Sequence, residues 1–128
     1  MNCIFCNIVE GKIPSSTVFE DEIVKIMMDI NPVNNGHLLI IPKKHFTNLM
    51  DIDDETLIHI QVSAKKMFEL LKNKLSIEGL TLCQNNEYGQ EIKHYHLHLI
   101  PRYKNDNVRL CSNKNKDDVE EIYNKIMN

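Results

Sequence analysis

His94-Tyr95-His96-Leu97-His98-Leu99-Ile100-Pro101-Arg102 holds half of the chain's six histidines, each separated from the next by one residue. The alternation of polar with apolar or aromatic positions is the pattern of a half-buried strand. Side chains two residues apart leave the same face of a strand, about 6.6 Å from one another. Three imidazoles therefore share one face, while Tyr95, Leu97 and Leu99 enter the other. Pro101 has no N–H for a ladder and is expected to end the strand. Such a row can be a satisfied, half-exposed strand face, which threefold repetition argues against. It can be a metal site, since imidazole is the commonest neutral ligand. It can also be a catalytic set, in which one histidine attacks while its neighbours orient it and protonate a leaving group. The chemistry of these residues alone leaves the last two readings even.

Working outward, Cys3-Ile4-Phe5-Cys6-Asn7-Ile8-Val9 and Gly11-Lys12-Ile13-Pro14 stand near the start. Gly36-His37-Leu38-Leu39-Ile40-Ile41-Pro42-Lys43-Lys44-His45 follows, and Gly89-Gln90-Glu91 comes just before the histidines. This ordered set, spread over residues 3 to 102, resembles the signature of the histidine triad (HIT) family, and its N-terminus resembles the zinc-containing bacterial branch.

At 128 residues the chain is long enough for one domain with its own core. A hydrophobic fraction of 42% and a charged fraction of 26% are those of a globular protein in water. The net charge of -3 argues against broad binding to nucleic acid. No apolar run approaches the roughly 18 residues of a membrane span, and no basic segment precedes an apolar one at the start. Cytoplasmic location is the expectation, and there the Cys3/Cys6 pair reads as metal or redox chemistry.

The apolar pattern predicts a short helix from Cys3 to Glu10, stopped by Gly11, and strands at Thr17 to Glu20 and Ile23 to Asp29 with weak turn chemistry between them. His37 to Pro42 is almost wholly apolar and reads as a central strand. Asp51 to Asp54 offers N-caps for a long helix reaching about Leu75, with Gly79 closing that unit. Leu80 to Gln84 is the fourth strand and the histidine stretch the fifth. Residues 104 to 118 are polar loop, followed by an amphipathic helix from Asp117 to Met127. The class is α+β with mostly antiparallel strands. The HIT resemblance implies one HIT domain over residues 1–128, with 104–128 as a variable tail. It also implies a five-stranded sheet per subunit and a homodimer with one continuous sheet.

The resemblance implies His96 as a nucleophile towards the α-phosphorus of a purine nucleotide, through a nucleotidyl-histidine that water then hydrolyses. A neutral imidazole is nucleophilic near pH 7 without prior deprotonation. It implies His98 as a phosphate contact and His37 as a fourth histidine beside the nucleophile; a capping histidine at a strand start is the other reading of His37. Gly89, Gln90 and Glu91 match the phosphate loop, although an ionised Glu91 cannot donate where other members carry serine. Asn85 or Asn86 matches a phosphate-contacting asparagine, Asp29 the ribose-binding acid, and Phe5, Ile8 and Ile30 the apolar base pocket, with core packing as the alternative for these apolar residues. Cys3 and Cys6 are half of a zinc site by spacing. The resemblance completes it with His45 and His94, a Cys2His2 set for structural Zn2+, the alternative being thiols without metal. Cys83 reads as core, Cys111 has no partner in this scheme, and His59, Lys43 and Lys44 read as structural or surface groups. The rivals to a nucleotide hydrolase or transferase are a nucleotide-binding or scaffold protein with little catalysis, and a triad that is itself a catalytic metal site.

Overall fold

The apolar run Leu38-Leu39-Ile40-Ile41 forms the middle strand of the sheet in a computed structural model that describes residues 2–109 and 112–128. In chain order the elements are α1 (Ile4–Val9), β1 (Thr17–Glu20), β2 (Val24–Met28), β3 (Leu38–Pro42), α2 (Asp54–Leu75), β4 (Gly79–Cys83), β5 (Leu97–Arg102) and α3 (Val119–Met127). The five strands are antiparallel to their neighbours, in the order β1-β2-β3-β5-β4. Cys111 lies outside the described residues.

Both faces of β3 are covered, which is why it carries no alternation. Leu38 and Ile40 pack under α2 with Val24, Ile26, Ile60, Ala64, Met67, Leu71, Tyr95, Leu97 and Leu99. Leu39 and Ile41 face the other way, against Phe5 and Ile8 of α1 and Met27. Each such buried aliphatic or aromatic side chain contributes about 1.5–3 kcal/mol relative to exposure. The sheet is thus clamped by a long helix on one face and a single short helix on the other. The functional side chains collect on the thinly covered face.

Several boundaries differ from the sequence expectations for local physical reasons. The ladder of β5 begins at Leu97, because the Tyr95 N–H is already donated to the Phe46 carbonyl at 2.7 Å, outside the sheet. Pro101 does not end the strand, which runs on to Arg102. The Glu78 N–H donates to the Arg102 carbonyl, so Arg102 faces β4 and its neighbour Pro101 faces the opposite side. On that side the pairing with β3 has stopped at Leu38 and Leu99, and a missing N–H costs no ladder bond there. Helix α2 ends at Leu75 as expected, capped by Ser76 in the left-handed conformation with φ 53°, whereas Gly79, expected to close that unit, opens β4. Of the N-cap candidates from Asp51 to Asp54, Asp53 takes that position at the start of α2, and the Asp51 carboxylate instead takes the N–H groups of Thr47 and Asn48. The Asp21 turn is stronger than its sequence suggests, since one carboxylate oxygen accepts from both Ile23 and Val24 N–H at 2.8 Å.

Candidate active site and metal cluster

His96 is buried, and its Nδ1–H donates to the His94 carbonyl at 2.8 Å. That bond places the hydrogen of the neutral ring on Nδ1 and leaves Nε2 as a bare lone pair. Phe5 stands edge-on against the ring, with centroids 5.1 Å apart and planes at 76°. Helix α1 therefore braces His96 through a residue that is also core.

On one side of His96 lies His98, with ring centroids 5.0 Å apart. His98 Nδ1 is 3.0 Å from His37 Nε2, and His37 Nδ1 accepts the Val33 N–H at 3.0 Å. The Asp29 carboxylate comes within 3.4 Å of His37 and 3.8 Å of His98. Burial pushes the His98 imidazole down to about 4, with further lowering by His96 and His37 against the pull of Asp29. Burial lowers His37 as well, again against Asp29. Both rings are therefore neutral at pH 7.

On the other side of His96 lies His94. Its Nε2–H donates to the Pro42 carbonyl at 2.8 Å, so Nδ1 carries the lone pair. Nδ1 is 3.4 Å from Cys3 Sγ, 3.6 Å from Cys6 Sγ and 3.1 Å from His45 Nδ1, while Cys6 Sγ is 3.3 Å from His45 Nδ1. All four donor atoms lie within 4.8 Å of one another. Tetrahedral zinc, with bonds of about 2.3 Å to sulfur and 2.0–2.1 Å to nitrogen, needs S···N edges of about 3.6 Å and N···N edges of about 3.4 Å. The donor set fits that ion in number, chemistry and spacing. Burial pushes the Cys6 thiol up to about 11 and the His94 imidazole down to about 4, so this pocket disfavours charge on its own donors unless a cation balances it. Cys3 Sγ also accepts the Cys6 N–H at the start of α1, which builds the thiol pair and the helix terminus together.

The three histidines of the stretch do not converge on one metal. His94 Nδ1 turns to the cysteines, His96 Nδ1 to a carbonyl and His98 Nδ1 to His37.

The remaining candidates divide by exposure. Phe5 and Ile8 are buried beside Met27 and Leu39, whereas Ile30 is 89% exposed and joins neither core cluster. Gln90 turns its side chain inward, donating to the Thr47 and Ile92 carbonyls and accepting the Glu87 N–H. Asn86 is committed to the Leu49 N–H and to Gln84, while Asn85 is exposed. Gly89 has φ +89° with open space around it, and exposed Glu91 lines a groove with Cys3, His45, Thr47 and Lys93. Cys83 is exposed on edge strand β4, not core. Sequence reading missed the backbone partners that orient the rings, namely the Val33 N–H and the carbonyls of Pro42 and His94. No side chain advertises them.

The HIT domain family matches residues 10–105 of the chain. A HIT-like protein from Methanocaldococcus jannaschii is 42% identical over 128 residues, covering 97% of this chain and 98% of its own. Adenosine 5'-monophosphoramidase of Candida albicans is 39% identical over 107 residues, 79% of this chain and 70% of its own. The crystal structure of a Zn-bound histidine triad family protein from Mycobacterium smegmatis superposes with a TM-score of 0.82 at 30% identity, covering 90% of this chain and 85% of that one. The matched family segment contains the triad together with His37 and His45, and the chain belongs to the HIT family.

Proposed function

We propose that the chain is a hydrolase or transferase acting on the α-phosphate of a purine nucleotide, either a nucleoside phosphoramidate or a dinucleoside polyphosphate. The observation that carries this reading is the bare Nε2 of His96, left free because Nδ1–H donates to the His94 carbonyl at 2.8 Å. Nε2 attacks phosphorus, the bond to the leaving group breaks, and the leaving group takes a proton from solvent, which the attacking water of the second step returns. Water then attacks the nucleotidyl-histidine and restores the ring. While phosphorus is attached, the ring carries both the new N–P bond and its Nδ1–H, so it is cationic, and the carbonyl dipole stabilises it. His98 and the backbone of the Gly89-Gln90-Glu91 loop hold phosphate oxygens, with exposed Asn85 rather than committed Asn86 as the asparagine contact. Asp29 takes the ribose hydroxyls, and Phe5, Ile8 and exposed Ile30 border the base. His37 acts beside His98.

Cys3, Cys6, His45 and His94 hold structural zinc, pinning α1 and hence Phe5 beside His96. The relatives named as a phosphoramidase and as a Zn-bound HIT protein support both halves of the reading. A homodimer sharing one continuous sheet, and residence in the cytoplasm, complete the proposal. Among the described residues, β4 is an edge strand with Leu82 exposed, an edge that a second subunit can cover.

Brief mixing with adenosine phosphoramidate or diadenosine tetraphosphate, followed by intact-protein mass spectrometry, tests the chemistry. The wild type should gain the mass of one AMP transiently, and His96→Ala should not. Tight AMP binding with neither adduct nor turnover would instead leave a nucleotide-binding protein.

A further inference from the structure

We infer that the backbone N–H of Val33 is a positioning group that sets the tautomer of His37 and, through it, the nitrogen on which His98 carries its hydrogen. The N–H can only donate, and it points at His37 Nδ1 from 3.0 Å. His37 Nδ1 therefore carries the lone pair, and the hydrogen of the neutral ring sits on Nε2. That hydrogen is aimed at His98 Nδ1, 3.0 Å away, so His98 accepts there and its own hydrogen is on Nε2. The reverse arrangement would set a His37 Nδ1–H against the Val33 N–H, two donors face to face. The Asp29 carboxylate reinforces the same choice. At 3.4 Å it lies beside the His37 Nε2–H, and at 3.8 Å from His98 Nδ1 it is too far to hold a hydrogen there. His96, whose ring lies against that of His98, is the remaining titratable neighbour of the pair.

The loop carrying Val33 is clamped to the far end of the strand that carries His98. Asn34 Nδ2 donates to the Pro101 carbonyl and to the Asp106 carboxylate, each at 3.0 Å. Asp106 is in turn held by the Arg102 guanidinium and the Tyr103 N–H. Gly36, with φ +89°, lets the loop press against α2 and β5, since a Cβ there would lie 2.7 Å from Leu75 Cδ1 and 3.2 Å from Pro101 Cγ. Strand β5 thus bears His98 and, through Asn34 and Val33, also sets its tautomer. The functional consequence rests on the proposed function: His98 presents an N–H, rather than a lone pair, to a phosphate oxygen.

Nitrogen-15 NMR of histidine-labelled protein at pH 7, without substrate and with rings assigned by single replacement, reads the tautomers directly. In the wild type, His37 and His98 should both show a bare Nδ1 and a protonated Nε2, while His96 shows the opposite and serves as internal reference. Val33→Pro deletes the donor and should convert His37 and His98 to tautomer mixtures with His96 unchanged. Asn34→Ala keeps the donor but unclamps the loop, and should give the same change to a smaller degree. A wild-type His98 protonated on Nδ1 overturns the inference, as does either folded variant that keeps both wild-type tautomers. If Val33→Pro fails to fold, the wild type and Asn34→Ala decide. Turnover of the same variants separates the two readings: altered tautomers with unchanged kcat would uphold the positioning role of Val33 and overturn the part proposed for His98 in catalysis.

Discussion

The two histidine clusters flanking His96 gather ring nitrogens at almost the same distance and use them in opposite ways. His94 and His45 bring two Nδ1 atoms to 3.1 Å of each other beside a pair of thiols, at spacings that match the edges of a tetrahedral metal site. His37 and His98 bring Nε2 and Nδ1 to 3.0 Å with a hydrogen already between them. The difference lies in what the far nitrogen of each ring meets. His94 gives its far hydrogen to the Pro42 carbonyl, which turns a lone pair towards the cysteines. His37 takes a hydrogen from Val33, which turns an N–H towards its neighbour. A backbone group on the far side of the ring therefore decides whether an imidazole is a ligand or a relay.

The largest effect should come from the residue that belongs to neither cluster. His96→Ala should lower turnover by about 10³-fold or more while metal content and melting temperature stay near wild type. Unchanged turnover in a folded variant would remove His96 as nucleophile. Next, Cys3→Ser combined with Cys6→Ser should remove about one equivalent of zinc per chain and lower the melting temperature by about 10 °C or more. Metal analysis with thermal unfolding checks this, and a metal-free protein that melts at the wild-type temperature would sink the structural role.

The second cluster should reveal itself through pH instead. His98, ordinarily near 6.5 and pushed to about 4 by burial, binds fewer protons folded than unfolded in that window, and burial lowers His37 in the same direction. Stability should therefore be fully present above about 6.5 and decline as pH falls towards about 4. Urea midpoints across this range should show that slope, and His98→Asn should flatten it; an equal slope in that variant would count against the assignment. The smallest effect belongs to a histidine outside both clusters. His59 meets Asp21 at 2.8 Å with both side chains about one-third exposed, so His59→Gln should cost about 0–1 kcal/mol by chemical denaturation.

How much of this could be read beforehand varied with the kind of interaction involved. The alternation of His94, His96 and His98 with Tyr95, Leu97 and Leu99 placed the imidazoles opposite the core, although the ladder itself starts only at Leu97. The unbroken apolar run Leu38-Leu39-Ile40-Ile41 showed the central strand, because both its faces are covered, and the three- and four-residue spacing of Ile60, Ala64, Met67 and Leu71 showed the long helix. Ends were less legible. Gly79 opens β4 rather than closing the helical unit, and Pro101 continues β5 because its missing N–H faces a side with no ladder. Exposure was misread for Cys83, since an apolar edge strand looks like a buried one until its neighbours are known. Gln90 and Asn86 look like free loop amides in sequence, yet their side chains are spent on Thr47, Ile92, Leu49 and Gln84.

The amino-acid sequence by itself determined which side chains are available for chemistry and which face of the sheet they share, because side-chain identity and hydrophobic period are local properties of the chain. Only the tertiary structure decided what each imidazole does. Cys3 meets His94 across 91 residues of chain, and His37 meets His98 across 61. The hydrogen on each ring is then assigned by backbone carbonyls, which every residue carries, and by an N–H, which every residue but proline carries, so their placement is legible only once the chain is folded.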